Sequence, residues 1–356
     1  MDNSLKKINN RIKEIIIAVN KVSHVCYNPL CETHNMAINS HVLQNKVLWN
    51  HIIGKIHGKD KIIQLSTSDY FQQLKFTEGR IYQFSPAGPE LNMMAYWGFC
   101  NPPCDNDLFS SFEDNPNTDY SAPKTQLLLS YRAYLRLMQV DEYTILIIDE
   151  ILRDPLFADT PEAQKTHWRM IRAEKIGNCL KHYILKRTLE WFISNPANNT
   201  ALKFITFELP RVPVATSTFY TEEHYAILDP GIVNNFTPDY RQKSDNMISY
   251  SEIPIVFLHL IPNDNSLTVL IGYSNLINNI SGIPVDEITK LAIPEKFKLI
   301  SDVLIKRVET WCMSPAFYEN LKSTGQEEKI LKAIDHHLDY ENKHLPVEVN
   351  IFEGVV

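Results

Sequence analysis

Apolar residues recur at helical spacing from the start of the chain: Leu5, Ile8, Ile12, Ile15, Ile16 and Val19, with Lys6, Lys7, Arg11, Lys13 and Glu14 between them. That spacing predicts an amphipathic helix with one buried stripe, and the interspersed charges do not suit a secretory leader. The pattern then loosens. To about residue 120 it offers only short strand-like pieces, such as Lys61–Leu65 and Arg80–Phe84, and a Pro- and Asn-dense stretch over 101–117. From Pro123 helical spacing returns with Leu127, Leu128, Tyr131, Leu135 and Leu137, and proline suits a first helical turn. A second long helix is expected from Thr160, as N-cap before Pro161, to Phe192, with Gly177-Asn178 as a possible break.

Beyond Ala201 the period shortens. Lys203–Leu209 and His224–Leu228 read as strands, and Ile255–Ile261 and Leu267–Tyr273 flank the turn Pro262-Asn-Asp-Asn-Ser266, the strongest hairpin signal in the chain. Helices are expected over 285–313 and 326–342, and a short strand or tail over 346–356. Lys186–Ser194 echoes Lys306–Ser314, which would mark two equivalent helices or a coincidence. The expected fold is α+β: an irregular N-terminal module (1–120), then a helical and β-rich domain (121–356) whose antiparallel sheet is flanked by helices.

Composition narrows the function classes. At 356 residues with 44% hydrophobic and 22% charged residues, the chain is long enough for two cores and ordinary for a globular protein. A net charge of -7 excludes a surface that is basic throughout. Six cysteines are too few for a disulfide framework, and the longest apolar runs are too short to span a bilayer. A reducing cytoplasm is the expected setting.

Four of those cysteines form two close pairs on Pro-containing turns, Cys26-Tyr-Asn-Pro-Leu-Cys31 and Cys100-Asn-Pro-Pro-Cys104. Two such turns can converge four thiolates on one tetrahedral zinc ion. His24 or His34 could replace one sulfur. Cys179 and Cys312 stand alone, inside segments expected to be helical.

Between the pairs lies Ile38-Asn39-Ser40-His41-Val42-Leu43, and after the second a helix is expected over 105–113. A cysteine pair, a histidine within about ten residues and a second cysteine pair leading into a helix resembles the treble-clef zinc knuckle of HNH nucleases. The resemblance covers residues 20–115. It implies a structural zinc on Cys26, Cys31, Cys100 and Cys104, His41 as the general base, and Asp105 and Asp107 holding a catalytic Mg or Mn ion. Departures are Ser40 where an acid commonly precedes the histidine, and 58 residues between His41 and Cys100. The order Cys…Cys…Ser-His…Gly-Phe-Cys…Asp…Leu-Phe is also similar to a group of uncharacterised bacterial proteins.

Other chemistries find no residues. There is no P-loop, no dinucleotide-binding Gly motif and no nucleophile elbow among only 11 glycines, and neither a deaminase box nor a His-Glu-x-x-His helix. Asp149-Glu150 lacks the P-loop that would make it an acidic metal box, so a helix surface is its expected place; His259 is expected at a core edge. Lys165, Arg169, Arg172, Lys186 and Arg187 fall within about a third of a helix circumference, a stripe that could track a phosphate backbone or simply face solvent. Two functions follow as expectations. One is metal-dependent nucleic-acid hydrolysis, by architectural analogy in phage defence or as a toxin. The other is a non-catalytic, zinc-stapled binding protein.

Overall fold

The computed structural model describes residues 3–20, 26–28, 31, 36–43, 45–67, 82–88, 95–101, 103–113, 118–221, 254–308, 310–337, 342 and 344–354. In chain order the elements begin with α1 (Asn3–Asn20), β1 (Asn39–His41), α2 (Asn45–His51), β2 (Gly54–Ile56), β3 (Lys59–Thr67), β4 (Tyr82–Ala87), β5 (Ala95–Trp97) and α3 (Cys104–Glu113). The long helices α4 (Pro123–Arg153) and α5 (Glu162–Ser194) follow, then β6 (Leu202–Pro210), β7 (Val214–Thr221), β8 (Ile255–Pro262) and β9 (Ser266–Ser274). The chain closes with the short pair β10 (Asn279–Ile280) and β11 (Ile283–Pro284), α6 (Ile293–Arg307), β12 (Cys312–Met313), α7 (Pro315–Ser323) and α8 (Gln326–His337).

Eight strands form one antiparallel sheet in the order β2-β3-β12-β7-β8-β9-β6, with β4 also paired to β3. This is the α+β class expected. Every residue of β8 is buried, because both faces of the sheet are covered. Ile255, Phe257 and Ile261 join α4 and α5 in one core, whereas Val256, Leu258 and Leu260 join α6, α7 and α8 in the other. Alternation along a strand sends neighbours to opposite faces, and each such side chain contributes about 1.5–3 kcal/mol by burial. A third cluster seats Ile12, Ile15 and Val19 of α1 against Ile147, Ile148 and Ile151 of α4, as the opening periodicity predicted.

Helix ends follow local chemistry. Pro123 starts α4, and α4 stops at Asp154 because the residue before Pro155 disfavours helical backbone. The Asp154 side chain then accepts from the Leu156 N–H to open a short 3-10 turn. Gly177-Asn178 do not break α5, which runs through them to Ser194.

One expected helix is cut short for a tertiary reason. The helix expected over 285–313 shrinks to a 3-10 turn at Ile288–Lys290 and α6, and Cys312–Met313 becomes a strand instead. Those two residues bridge β3 and β7, while Trp311 O accepts from the Leu65 N–H (3.1 Å) and Thr310 O from the Thr216 hydroxyl (2.5 Å). Joining two half-sheets satisfies more buried backbone than another helical turn would. The echo of Lys186–Ser194 in Lys306–Ser314 therefore marks no equivalent element. The sheet also crosses the boundary expected at residue 120, since β2, β3 and β4 belong to it. The strand expected at His224–Leu228 lies outside the described residues.

His259 is not at a core edge but wholly buried on β8. Its Nδ1 lies 2.8 Å from Ser217 Oγ and its Nε2 3.4 Å from Ser130 Oγ, so two rotatable hydroxyls match a neutral ring. Burial pushes its pKa down to about 3. The unfolded chain, with an ordinary histidine pKa near 6.5, therefore binds a proton that the folded one refuses. The stability contributed is complete above about pH 6.5 and is lost as pH falls toward 3. In urea titrations at pH 7 and 5, His259→Gln should lose about 2 kcal/mol less than the parent on acidification. An equal loss in both would remove His259 as the cause.

Candidate metal centre

The two cysteine loops are joined by backbone before any side chain is considered. The Tyr27 N–H donates to Gly98 O (2.8 Å), the Ile38 N–H to Phe99 O (2.8 Å) and the Gly98 N–H to Ile38 O (3.3 Å). The β1–β5 ladder continues this with Asn39 opposite Trp97, Ser40 opposite Tyr96 and His41 opposite Ala95. Gly98 has to be glycine, because a Cβ there would sit 2.4 Å from Cε2 of the Tyr96 ring. The chain then enters α3 with Cys104 as its first residue, and the Asp105 N–H donates to Cys100 O (3.0 Å).

Cys26, Cys31, Cys100 and Cys104 are buried, and their four sulfurs all lie within 4.8 Å of one another. Cys31 and Cys100 sulfurs are 3.6 Å apart. A tetrahedral ion with zinc–sulfur bonds of about 2.3 Å sets its sulfurs about 3.8 Å apart, so the residues fit one metal ion such as zinc. All six cysteines are reduced. The Cys100 N–H points at Cys26 Sγ (3.3 Å) and Asn28 Nδ2 at Cys104 Sγ (3.2 Å), the outer donors that thiolate ligands favour. Burial pushes the Cys26 and Cys104 thiols above their usual range, opposed by the Cys100 N–H at Cys26 and by the Asn28 amide at Cys104. A divalent cation reverses that balance by supplying the charge the thiolates need. His24 and His34 lie outside the described residues. Among the described residues no other group of three or more His, Cys, Asp and Glu is placed to hold a metal.

Asp105, expected to act together with His41, is engaged by two other side chains. Ser40 Oγ donates to Asp105 Oδ1 (3.0 Å), and Arg132 Nη2 lies 3.4 Å from the same oxygen. Ser40 and Tyr96 occupy the buried face of the two-stranded ladder. Successive strand residues alternate, so His41 belongs to the other face, with Asn39 and Trp97. Asp105 is held by the knuckle's own scaffold, and Asp107 lies on the exposed side of α3.

Sequence reading missed the residues of α4 that clamp this knuckle. Arg132 is 1% exposed, with its guanidinium carbon 3.7 Å from the centroid of the Phe109 ring. Two turns further on along the same face, Gln139 answers both backbone groups of Trp97, accepting from N–H (3.0 Å) and donating to C=O (2.7 Å). Glu142 accepts from the hydroxyls of Tyr27 and Tyr183, both at 3.0 Å, which ties the first cysteine loop to α4 and α5. The available signal was polar residues at 132, 139 and 142 within a largely apolar helix.

Most residues of the basic stripe have partners within the fold. Lys186 is buried and paired with Glu190, whose carboxylate also accepts from the Tyr131 hydroxyl. Arg172 holds Asp149 through two bonds (2.6 and 3.3 Å), Arg169 meets Glu162 at 2.5 Å, and Lys165 donates to Ala158 O. Arg187 is exposed. These contacts explain most of the stripe as packing between α4 and α5 and pairs at the helix start, and they place Asp149 in a half-buried pair between the two helices.

No described helix is long and apolar enough to cross a membrane. Comparison of the chain with protein-family models, with curated proteins and with solved structures finds no match.

Proposed function

We propose that the chain is a non-catalytic binding protein whose N-terminal region is stapled by one structural zinc ion. The observation that carries the staple is the donor set: four buried sulfurs within 4.8 Å of one another, enough to fill a zinc ion's coordination and leave the chemistry, if any, to other groups. A catalytic zinc keeps a position open for water or substrate. The ion's part is to hold two loops and α3 together, and α4 then locks that unit to the sheet.

A second reading, phosphodiester hydrolysis by an HNH-like module, draws on one observation. Two antiparallel strands, with His41 at the end of the first, precede a helix beside the four cysteines. Mg or Mn, a nucleic-acid partner and a role in phage defence or toxicity belong to that reading alone. The two separate in one experiment, incubation of plasmid DNA and of RNA with the protein and added magnesium or manganese. The binding reading expects no cleavage by the parent. Cleavage by the parent, abolished in a normally melting His41→Ala variant, would overturn it.

A further inference from the structure

A cavity of about 630 Å³ opens where α2, the residues leading into α4, β6 and the β8–β9 turn meet. Its volume suits a small molecule, but small-molecule pockets are mostly apolar, and here Val47 is the one aliphatic side chain among the described lining residues. The polar groups are held in place by the fold itself. The Asn263 amide donates to the Thr268 hydroxyl (2.7 Å), which donates to Glu208 Oε1 (2.6 Å), and the Asn263 N–H closes the turn on Ser266 O (2.8 Å). Asp119 Oδ1 accepts from the N–H and the hydroxyl of Ser121 (2.8 and 2.6 Å). Glu208 and Asp119 each use one oxygen in these bonds, so each keeps a second that can accept from a ligand. Burial, more than the opposing Asp264 carboxylate, holds His51 below the usual histidine range. Lys46 is then the one cation at neutral pH among the described lining residues, and the acids are not gathered closely enough to hold a metal ion.

We propose that this cavity binds a short neutral oligosaccharide of glucose-type rings. A sugar ring carries hydroxyls, each both donor and acceptor, on most of its carbons, and interspersed carboxylate, amide and hydroxyl groups meet that demand. Rings with equatorial hydroxyls also leave apolar faces of C–H groups, which an aromatic surface complements. The helix α2 offers one. Lys46, Trp49 and Asn50 lie three and four residues apart and share its exposed face, and Trp49 is 44% exposed. Lys46 and Asn50 line the cavity, which puts Trp49 at its rim, where it can carry a further ring. The inference rests on the binding reading, to which it gives a ligand class; zinc content and sugar affinity are measured separately, so either can fail alone.

Calorimetric titration of the full chain with maltotriose, cellotriose and triacetylchitotriose tests it. Saturable binding of at least one is expected, and it should hold from about 0.05 to about 0.5 M salt, because an uncharged ligand leaves nothing to screen. Trp49→Ala and Glu208→Ala should each weaken it at least about tenfold, and Trp49→Phe should retain it. Trp191→Ala, at an exposed tryptophan on α5 outside the cavity, should leave it unchanged. If Glu208→Ala melts early, Trp49→Ala carries the comparison. No saturable heat with any of the three sugars up to about 10 mM, unchanged affinity in Trp49→Ala and Glu208→Ala, or binding that salt abolishes, overturns the proposal.

Discussion

Cys100→Ser is expected to yield protein without zinc and with a markedly less stable N-terminal region, and the parent is expected to carry one zinc per chain. A serine oxygen is a poor fourth ligand beside three thiolates, and Cys100 also touches the knuckle through its backbone, accepting from the Asp105 N–H and donating to Cys26 Sγ. Structural zinc is worth about 10–16 kcal/mol in small zinc-finger peptides. Here Phe99, Phe109 and Tyr131 pack beside the cysteines, so part of the module keeps a hydrophobic reason to fold. A loss of about 5 kcal/mol, on the order of 5–10 °C in melting temperature, is the balance of those terms. Mass spectrometry for metal and calorimetry for melting check it, with Cys179→Ser as a control that keeps its zinc because that thiol lies on α5, outside the cluster. A parent without zinc, or a Cys100→Ser variant that holds it and melts normally, would refute the staple.

Arg132→Met is the second large effect, a destabilisation of about 3–5 kcal/mol. The arginine is buried between the Asp105 carboxylate and the face of Phe109. Methionine fills much of the space but leaves the carboxylate with the Ser40 hydroxyl and no cation in Arg132's place, and an uncompensated buried charge costs more than the ion pair contributes. Adding Asp105→Asn should recover part of the loss, since a neutral amide can still accept from Ser40 without needing a cation. Urea denaturation of the two single variants and the double variant gives the coupling directly. A single-variant loss under about 1 kcal/mol, or no recovery in the double, would show that the pair does not anchor the knuckle.

Much of this molecule was legible because much of it is decided between near neighbours. Periodicity over a few turns placed α1, α4 and α5, proline placed the start of α4, and alternating apolar runs around Pro262–Ser266 placed the β8–β9 hairpin. The cysteine pairs were equally legible, since a turn that aims two thiolates at one point is a local device. Residues 311–313 were not, because the same apolar residues satisfy a helix or a strand and only the two open strand edges beside them choose.

The site divides along the same line. Residue types and spacing determined the four-sulfur donor set and, with it, the kind of ion it suits. Tertiary structure alone decided that Ser40 bonds Asp105, that Arg132, Gln139 and Glu142 reach across to the knuckle, and that Lys186 and Arg172 are spent inside the fold. The physical reason is range. Helical spacing and turn geometry act over a few residues, whereas the pairing of a buried charge or the facing of a strand depends on groups tens of residues away.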